Sequence, residues 1–132
     1  MFDPPPPNNV VALLLAAGLS TRARPYNKLA ASMPGDPEAR PIVRASAEAL
    51  LASYANQVIV VTGHQSKKIE YALADLDVIF VHNPDFSSGM SGSLATGVNA
   101  LPETASAAVV ALGDMPSLSS ETVNALITAF SP

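Results

Sequence analysis

The stretch V-V-A-L-L-L-A-A-G-L-S-T-R-A-R-P-Y-N-K-L, Val10 to Leu29, decides how the rest of the chain is read. It opens on a continuous apolar run, Val10 to Ala17, closed by Gly18. Such a run, rich in branched residues and ending in glycine, predicts a strand buried on both faces of a parallel sheet. The loop behind it carries Ser20, Thr21 and Asn27 together with three cations, Arg22, Arg24 and Lys28. A buried strand that feeds a small, polar, cationic loop presents backbone N–H groups and positive charge to phosphates. Ordinary strand-to-helix loops share these features. Neither standard glycine fingerprint is present, because Lys28 has no Gly before it and Gly18 stands alone.

Outward from this stretch, strands and helices alternate. Residues 1–9, M-F-D-P-P-P-P-N-N, read as a disordered, proline-rich tail, and residues 10–132 as the folded domain. Ala30 to Pro41 holds three prolines and a glycine and should be irregular. Val43, Ala47, Leu50 and Tyr54 recur at helical spacing; V-I-V-V-T, Val58 to Thr62, is a second buried strand. Ile69, Leu73 and Leu76 mark a short helix, and Val78 to Val81 a third strand that ends at His82-Asn83-Pro84. Leu94, Val98 and Leu101 trace one face of a helix, and Ala108 to Leu112 is a fourth strand that stops at Gly113-Asp114. Val123, Leu126, Ile127 and Phe130 form the stripe of a last helix, which Ser119 or Ser120 can cap. The alternation predicts an α/β, three-layer, mostly parallel open sheet with helices on both faces. Ligands then sit at the carboxyl ends of the strands, where Ala17-Gly18, Gly63-His64, Asn83-Pro84 and Gly113-Asp114 fall.

Composition narrows the function classes. At 132 residues, with 48% hydrophobic and 14% charged residues, the chain suits one globular domain. A net charge of −4 without a basic cluster argues against a nucleic-acid partner. The absence of cysteine removes disulfides, thiolate metal sites and thiol nucleophiles. No run is long enough to span a membrane and no basic leader precedes an apolar stretch, so the cytoplasm is the expected compartment.

The chemistry concentrates at the strand exits. Asp114 directly follows a buried strand, and a carboxylate there suits Mg²⁺ beside phosphates; the alternative is a turn cap. Ser87, Ser88, Ser91 and Ser93 crowd the start of a helix, where free N–H groups bind anions, although one serine is needed as a cap. Thr62 and Asn83 end strands and can read the edge of a base. His64 reads as a loop residue beside the site, since no acid is spaced to orient it, and His82, which ends a strand, reads as structural.

L-A-A-G-L-S-T-R with Lys28 six residues after Arg22, then V-T-G-H, N-P-D-F-S-S-G-M-S-G-S-L and L-G-D-M-P, resembles the MobA-like nucleotidyltransferases over residues 10–118. Within them the chain is most similar to the molybdenum cofactor cytidylyltransferases, because Ala16-Ala17-Gly18 stands where the guanylyl branch usually has two glycines. The resemblance implies a Rossmann-like nucleotidyltransferase fold and CMP transfer from CTP to molybdopterin, with Mg²⁺ as cofactor. It implies that Leu15, Ala16, Ala17 and Gly18 contact base and ribose, and that Arg22 holds the β- and γ-phosphates. Lys28 would stabilise charge at the α-phosphate and Asp114 would bind Mg²⁺. Gly63, Asn83 and Gly89 would line base and ribose, with Ser91 and Ser93 in the same binding set. A molybdoenzyme or its maturation factor is the implied protein partner.

The chain departs from the family pattern twice. The family loop reads close to R-M-G-x-x-x-K, whereas Arg24 stands here at the glycine. If that glycine has positive φ, Arg24 costs about 1 kcal/mol or more in strain. The family domain also continues with further strands that carry a second metal-binding acid, so the resemblance implies that the C-terminal part is missing beyond Pro132. These departures keep two alternatives open: a non-catalytic nucleotide- or cofactor-binding module that assists molybdoenzyme assembly, and a nucleotidyltransferase for another phosphorylated acceptor.

Overall fold

The computed structural model describes residues 9–16, 41–63, 66–84, 90–113 and 118–130. In chain order they form β1 (Val10–Ala16), α1 (Ile42–Leu51), β2 (Gln57–Thr62), α2 (Ser66–Ala72), β3 (Ile79–His82), α3 (Met90–Asn99), β4 (Ala107–Leu112) and α4 (Ser120–Phe130). The four strands make one parallel sheet in the order β3-β2-β1-β4. Leu13 is level with Ile59 on one side and Val110 on the other, and Ile59 in turn with Ile79. The expected α/β architecture is therefore present, with strand boundaries within a residue of those read from the sequence. No described helix is long and apolar enough to cross a membrane.

Every residue of β1 is buried, because it is central and helices cover both faces. Its alternate residues serve two cores. Val10, Ala12, Leu14 and Ala16 pack with Val43, Ala47 and Leu50 of α1, Ile69 of α2 and Val123 and Ile127 of α4. Val11 and Leu13 face the opposite way with Ile59, where Ala100 and Leu101 close the layer behind α3. At Ser119 the hydroxyl accepts the Thr122 N–H at 3.2 Å, so Ser119 is the residue that caps α4.

Two helix faces differ from the sequence reading. Leu94 and Val98 point outward, 37% and 48% exposed. Instead α3 lies on the sheet through small residues, Ser93 and Gly97. A Cβ on Gly97 would stand 3.1 Å from Val61 Cγ2 and 3.2 Å from Leu13 Cδ1. The helix sits too close to β1 and β2 for a larger side chain, so its apolar stripe is not its packing face. In α4, Val123 and Ile127 are buried while Leu126 is 56% exposed, because α4 lies over the edge strand β4 and no described element flanks it further out. α1 also stops at Leu51, before Tyr54, whose backbone N–H is accepted by Asn124 Oδ1 at 2.6 Å.

Candidate functional site

Because all strands are parallel, their carboxyl ends share one edge. Backbone bonds carry the ladder past the strands: Gly113 N–H donates to Leu15 O at 3.0 Å and Asn83 N–H to Thr62 O at 2.7 Å. Asn83, Gly63, Ala16 and Gly113 therefore stand in a row at the exits of β3, β2, β1 and β4. From β1 the chain steps outward through β2 to β3, and then returns over α3 to place β4 on the other side of β1. This reversal puts a topological switch point between β1 and β4, the place where such sheets bind ligands. The loop that starts at Ala17 and the residue after Gly113, Asp114, flank it in sequence. Both lie outside the described residues, as do Gly18, Arg22, Arg24, Lys28, His64, Ser87, Ser88 and Gly89.

Leu15 is packed against Val61 and Leu112, and Ala16 is fully buried, so neither side chain opens on the edge. What β1 can offer a ligand there is backbone at its exit. Gly63 is buried between the neighbouring exits.

The β3 side of the edge is a small polar cluster. Asn83 and Ser93 are each 4% exposed, and the Asn83 amide donates to Ser93 Oγ at 3.2 Å. Buried Thr62 Oγ1 lies 3.4 Å from His82 Nδ1. Asn83 and Ser93, both read as binding residues, are thus brought together by the fold, whereas Ser91 is exposed on the first turn of α3.

Sequence reading missed one participant. Ser46, on the buried face of α1, donates its hydroxyl to Gly113 O at 3.3 Å. With the Leu15 bond on the other side, this holds both polar groups of the Gly113 backbone. The available signal was a serine at i+3 of the Val43–Ala47–Leu50 stripe, a polar side chain on a face that must be dry. A bidentate ion pair lies outside the row of exits. Arg44 grips Asp75 through Nη1 and Nη2 at 2.6 and 2.8 Å and also reaches Ala72 O. That side-chain hydrogen bond, with Coulombic attraction, holds the Asp75 carboxyl down at about 2 and raises the Arg44 guanidinium. It fastens α1 to the end of α2 and has no part in the row of exits.

A cavity of about 280 Å³ opens beside β4, lined by Val10, Ala107, Val109, Val110 and Leu126 among others. Its lining has no charged or hydroxyl side chain, so it does not suit a polar phosphate ligand.

The sequence profile described as the MobA-like NTP transferase domain matches residues 12–132, nearly the whole chain. The chain belongs to this family. A nucleotidyl transferase from Methanothermobacter superposes with a TM-score of 0.81 at 29% identity, covering 92% of this chain and 58% of that one. Rv0371c from Mycobacterium tuberculosis gives 0.79 at 22% identity, with 92% and 60% covered. A 4-diphosphocytidyl-2C-methyl-D-erythritol synthase from Anaerococcus prevotii gives 0.72 at 21%, with 92% and 50% covered. This MobA-like chain therefore shares the fold of these proteins and spans between half and three-fifths of their lengths.

Proposed function

We propose that residues 10–132 form the nucleotide-binding part of a Mg²⁺-dependent nucleotidyltransferase that moves CMP from CTP to molybdopterin, in the cytoplasm, during maturation of the molybdenum cofactor. The observation that carries this reading is the family match over residues 12–132 on a sheet whose exits share one edge and one switch point. CTP is preferred over GTP because the Ala17 methyl narrows the space beside the base, which a purine feels more. Ala17 and Gly18, with the backbone of Leu15 and Ala16, Gly63, Gly89 and Ser91, stand around base and ribose, and Asn83 and Ser93 belong to the same edge. Arg22 binds the β- and γ-phosphates and Lys28 stabilises charge at the α-phosphate.

A phosphate oxygen of molybdopterin attacks the α-phosphorus in line; the bond to the bridging oxygen breaks and pyrophosphate leaves with its electron pair. Such a reaction asks the protein for positioning and charge stabilisation. The metal assignment rests on Asp114, the acid that directly follows the exit of β4 in the sequence. Bound Mg²⁺ would neutralise triphosphate charge there.

The test is titration calorimetry with CTP and GTP in Mg²⁺, paired with pyrophosphate release from CTP with and without molybdopterin. The expected result is tighter binding of CTP and release that needs molybdopterin. GTP binding as tightly as CTP overturns the cytidylyl assignment. Normal CTP binding without any pyrophosphate release favours a binding module, and release with a different phosphorylated acceptor reassigns the substrate.

A further inference from the structure

Asn83 and Ser93 have been placed around the nucleotide, yet each is 4% exposed and turned toward the other. We propose that they are positioning residues: their buried hydrogen bond fastens the exit of β3 to the first turn of α3 and so sets where exposed Ser91 stands at the carboxyl edge. The inference rests on the nucleotidyltransferase reading above and deepens it.

Three observations support it. First, Asn83 is held at both ends. Its backbone N–H donates to Thr62 O at 2.7 Å and its amide to Ser93 Oγ at 3.2 Å. A ligand that took the N–H given to Ser93 would have to displace a buried hydroxyl, which costs that hydroxyl its partner.

Second, α3 rests on the sheet at two levels. Gly97 sits where a Cβ would meet Val61 and Leu13 at 3.1 and 3.2 Å. Ser93 lies four residues earlier on the same face, about 6 Å along the axis at 1.5 Å per residue. The first contact fixes how close the helix lies, and the second ties its N-terminal turn to β3. Thr96 Oγ1 also donates to Gly92 O at 2.9 Å, holding a carbonyl of that turn.

Third, Ser91 is two residues before Ser93, roughly 200° round the helix at 3.6 residues per turn. It cannot share the buried face, and it is exposed. Of the two serines, Ser91 is therefore the one open to a nucleotide, and Ser93 acts through the helix that carries it. A displacement of about 1 Å in a positioning element can change a rate by about a hundredfold, so a clamp of this kind has leverage without touching the ligand.

The experiment is a double-mutant cycle on the whole chain: Asn83→Ala, Ser93→Ala and the double variant. Each is read for CTP affinity in Mg²⁺, for melting temperature, and, without nucleotide, for amide hydrogen exchange at residues 94–97, whose N–H groups bond to the carbonyls of the first turn of α3. Val123→Ala, in the α4 core, supplies a stability control. Each single variant should weaken CTP by about five- to twentyfold. The double variant should be no weaker than the worse single, because the two side chains act as one unit. Exchange at residues 94–97 should speed up, and Val123→Ala should lower the melting temperature with CTP affinity kept.

Additive losses with unchanged exchange would make both residues direct contacts and overturn the proposal. A lowered melting temperature with unchanged CTP affinity would make the bond purely structural and also overturn it. A parent chain that binds no CTP overturns the functional reading, and this role with it. The exchange arm needs no nucleotide, so it still separates that failure from the absence of a clamp.

Discussion

Replacing Gly97 by alanine sets two effects of known size against each other. In a helix interior alanine is favoured over glycine by about 0.5–1 kcal/mol, since glycine loses more backbone freedom on folding. The added methyl, however, would stand 3.1 Å from Val61 Cγ2 and 3.2 Å from Leu13 Cδ1. Both are several tenths of an ångström inside a relaxed carbon–carbon contact of about 3.5–4.0 Å. Leu13 and Val61 are fully buried, so neither can swing into open space and α3 must lift from the sheet. Overpacking of this kind costs about 1–3 kcal/mol. The packing effect wins, and Gly97→Ala should destabilise by a net amount of about 1 kcal/mol. Urea unfolding gives that number as a shift in midpoint at constant m-value. A gain of the full propensity increment, with the midpoint moving to higher urea, would refute the close approach of α3 on which this reasoning rests. Gly97→Val adds two more methyl groups and β-branching, so it should lose more than alanine does.

Other consequences follow from the same contacts. Ser46→Ala gains a little helix propensity but leaves the Gly113 carbonyl without its buried donor, for a net loss of about 1 kcal/mol by urea unfolding and faster exchange at the Gly113 amide; an unchanged midpoint and unchanged exchange would dismiss the contact. The Asp75 carboxyl is held down at about 2 by Arg44. A depressed folded-state value means this contribution is present above the ordinary carboxylate value of about 4 and fades as pH falls toward 2. Asp75→Asn should therefore flatten the stability profile between pH 4 and 2 and leave its shape above pH 5 alone, as followed by thermal melts across that range. Within the proposed reaction, Asp114→Asn should weaken Mg²⁺-dependent CTP binding, whereas Lys28→Met should raise the barrier by about 2–4 kcal/mol with little change in affinity. Calorimetry and pyrophosphate release on the same two variants tell these apart.

The sequence by itself determined the layered parallel sheet and the edge on which its loops gather. Central parallel strands must be apolar on both faces, so β1 and β2 are written as unbroken runs, and the residues that end them mark the exits. Legible too were the buried side of α1, where Val43, Ala47 and Leu50 recur at helical spacing, and that of α2 at Ile69, with Leu73 buried in the turn just behind it. Tertiary structure alone decided which side of α3 faces inward. Apolar periodicity measures hydrophobicity, whereas this contact is set by distance, and Gly97 has no side chain to hold the helix away from Leu13 and Val61. It alone decided that Leu126 stays outside, because the neighbours a helix will have are not written within it. It also decided the polar joins at the candidate site. Ser46 and Gly113 are 67 residues apart, and Asn83 meets Ser93 only because α3 is pressed against β1 and β2. Each of these bonds forms because a dry site leaves a hydroxyl, amide or carbonyl no water to turn to, and that dryness arises only once the layers have closed.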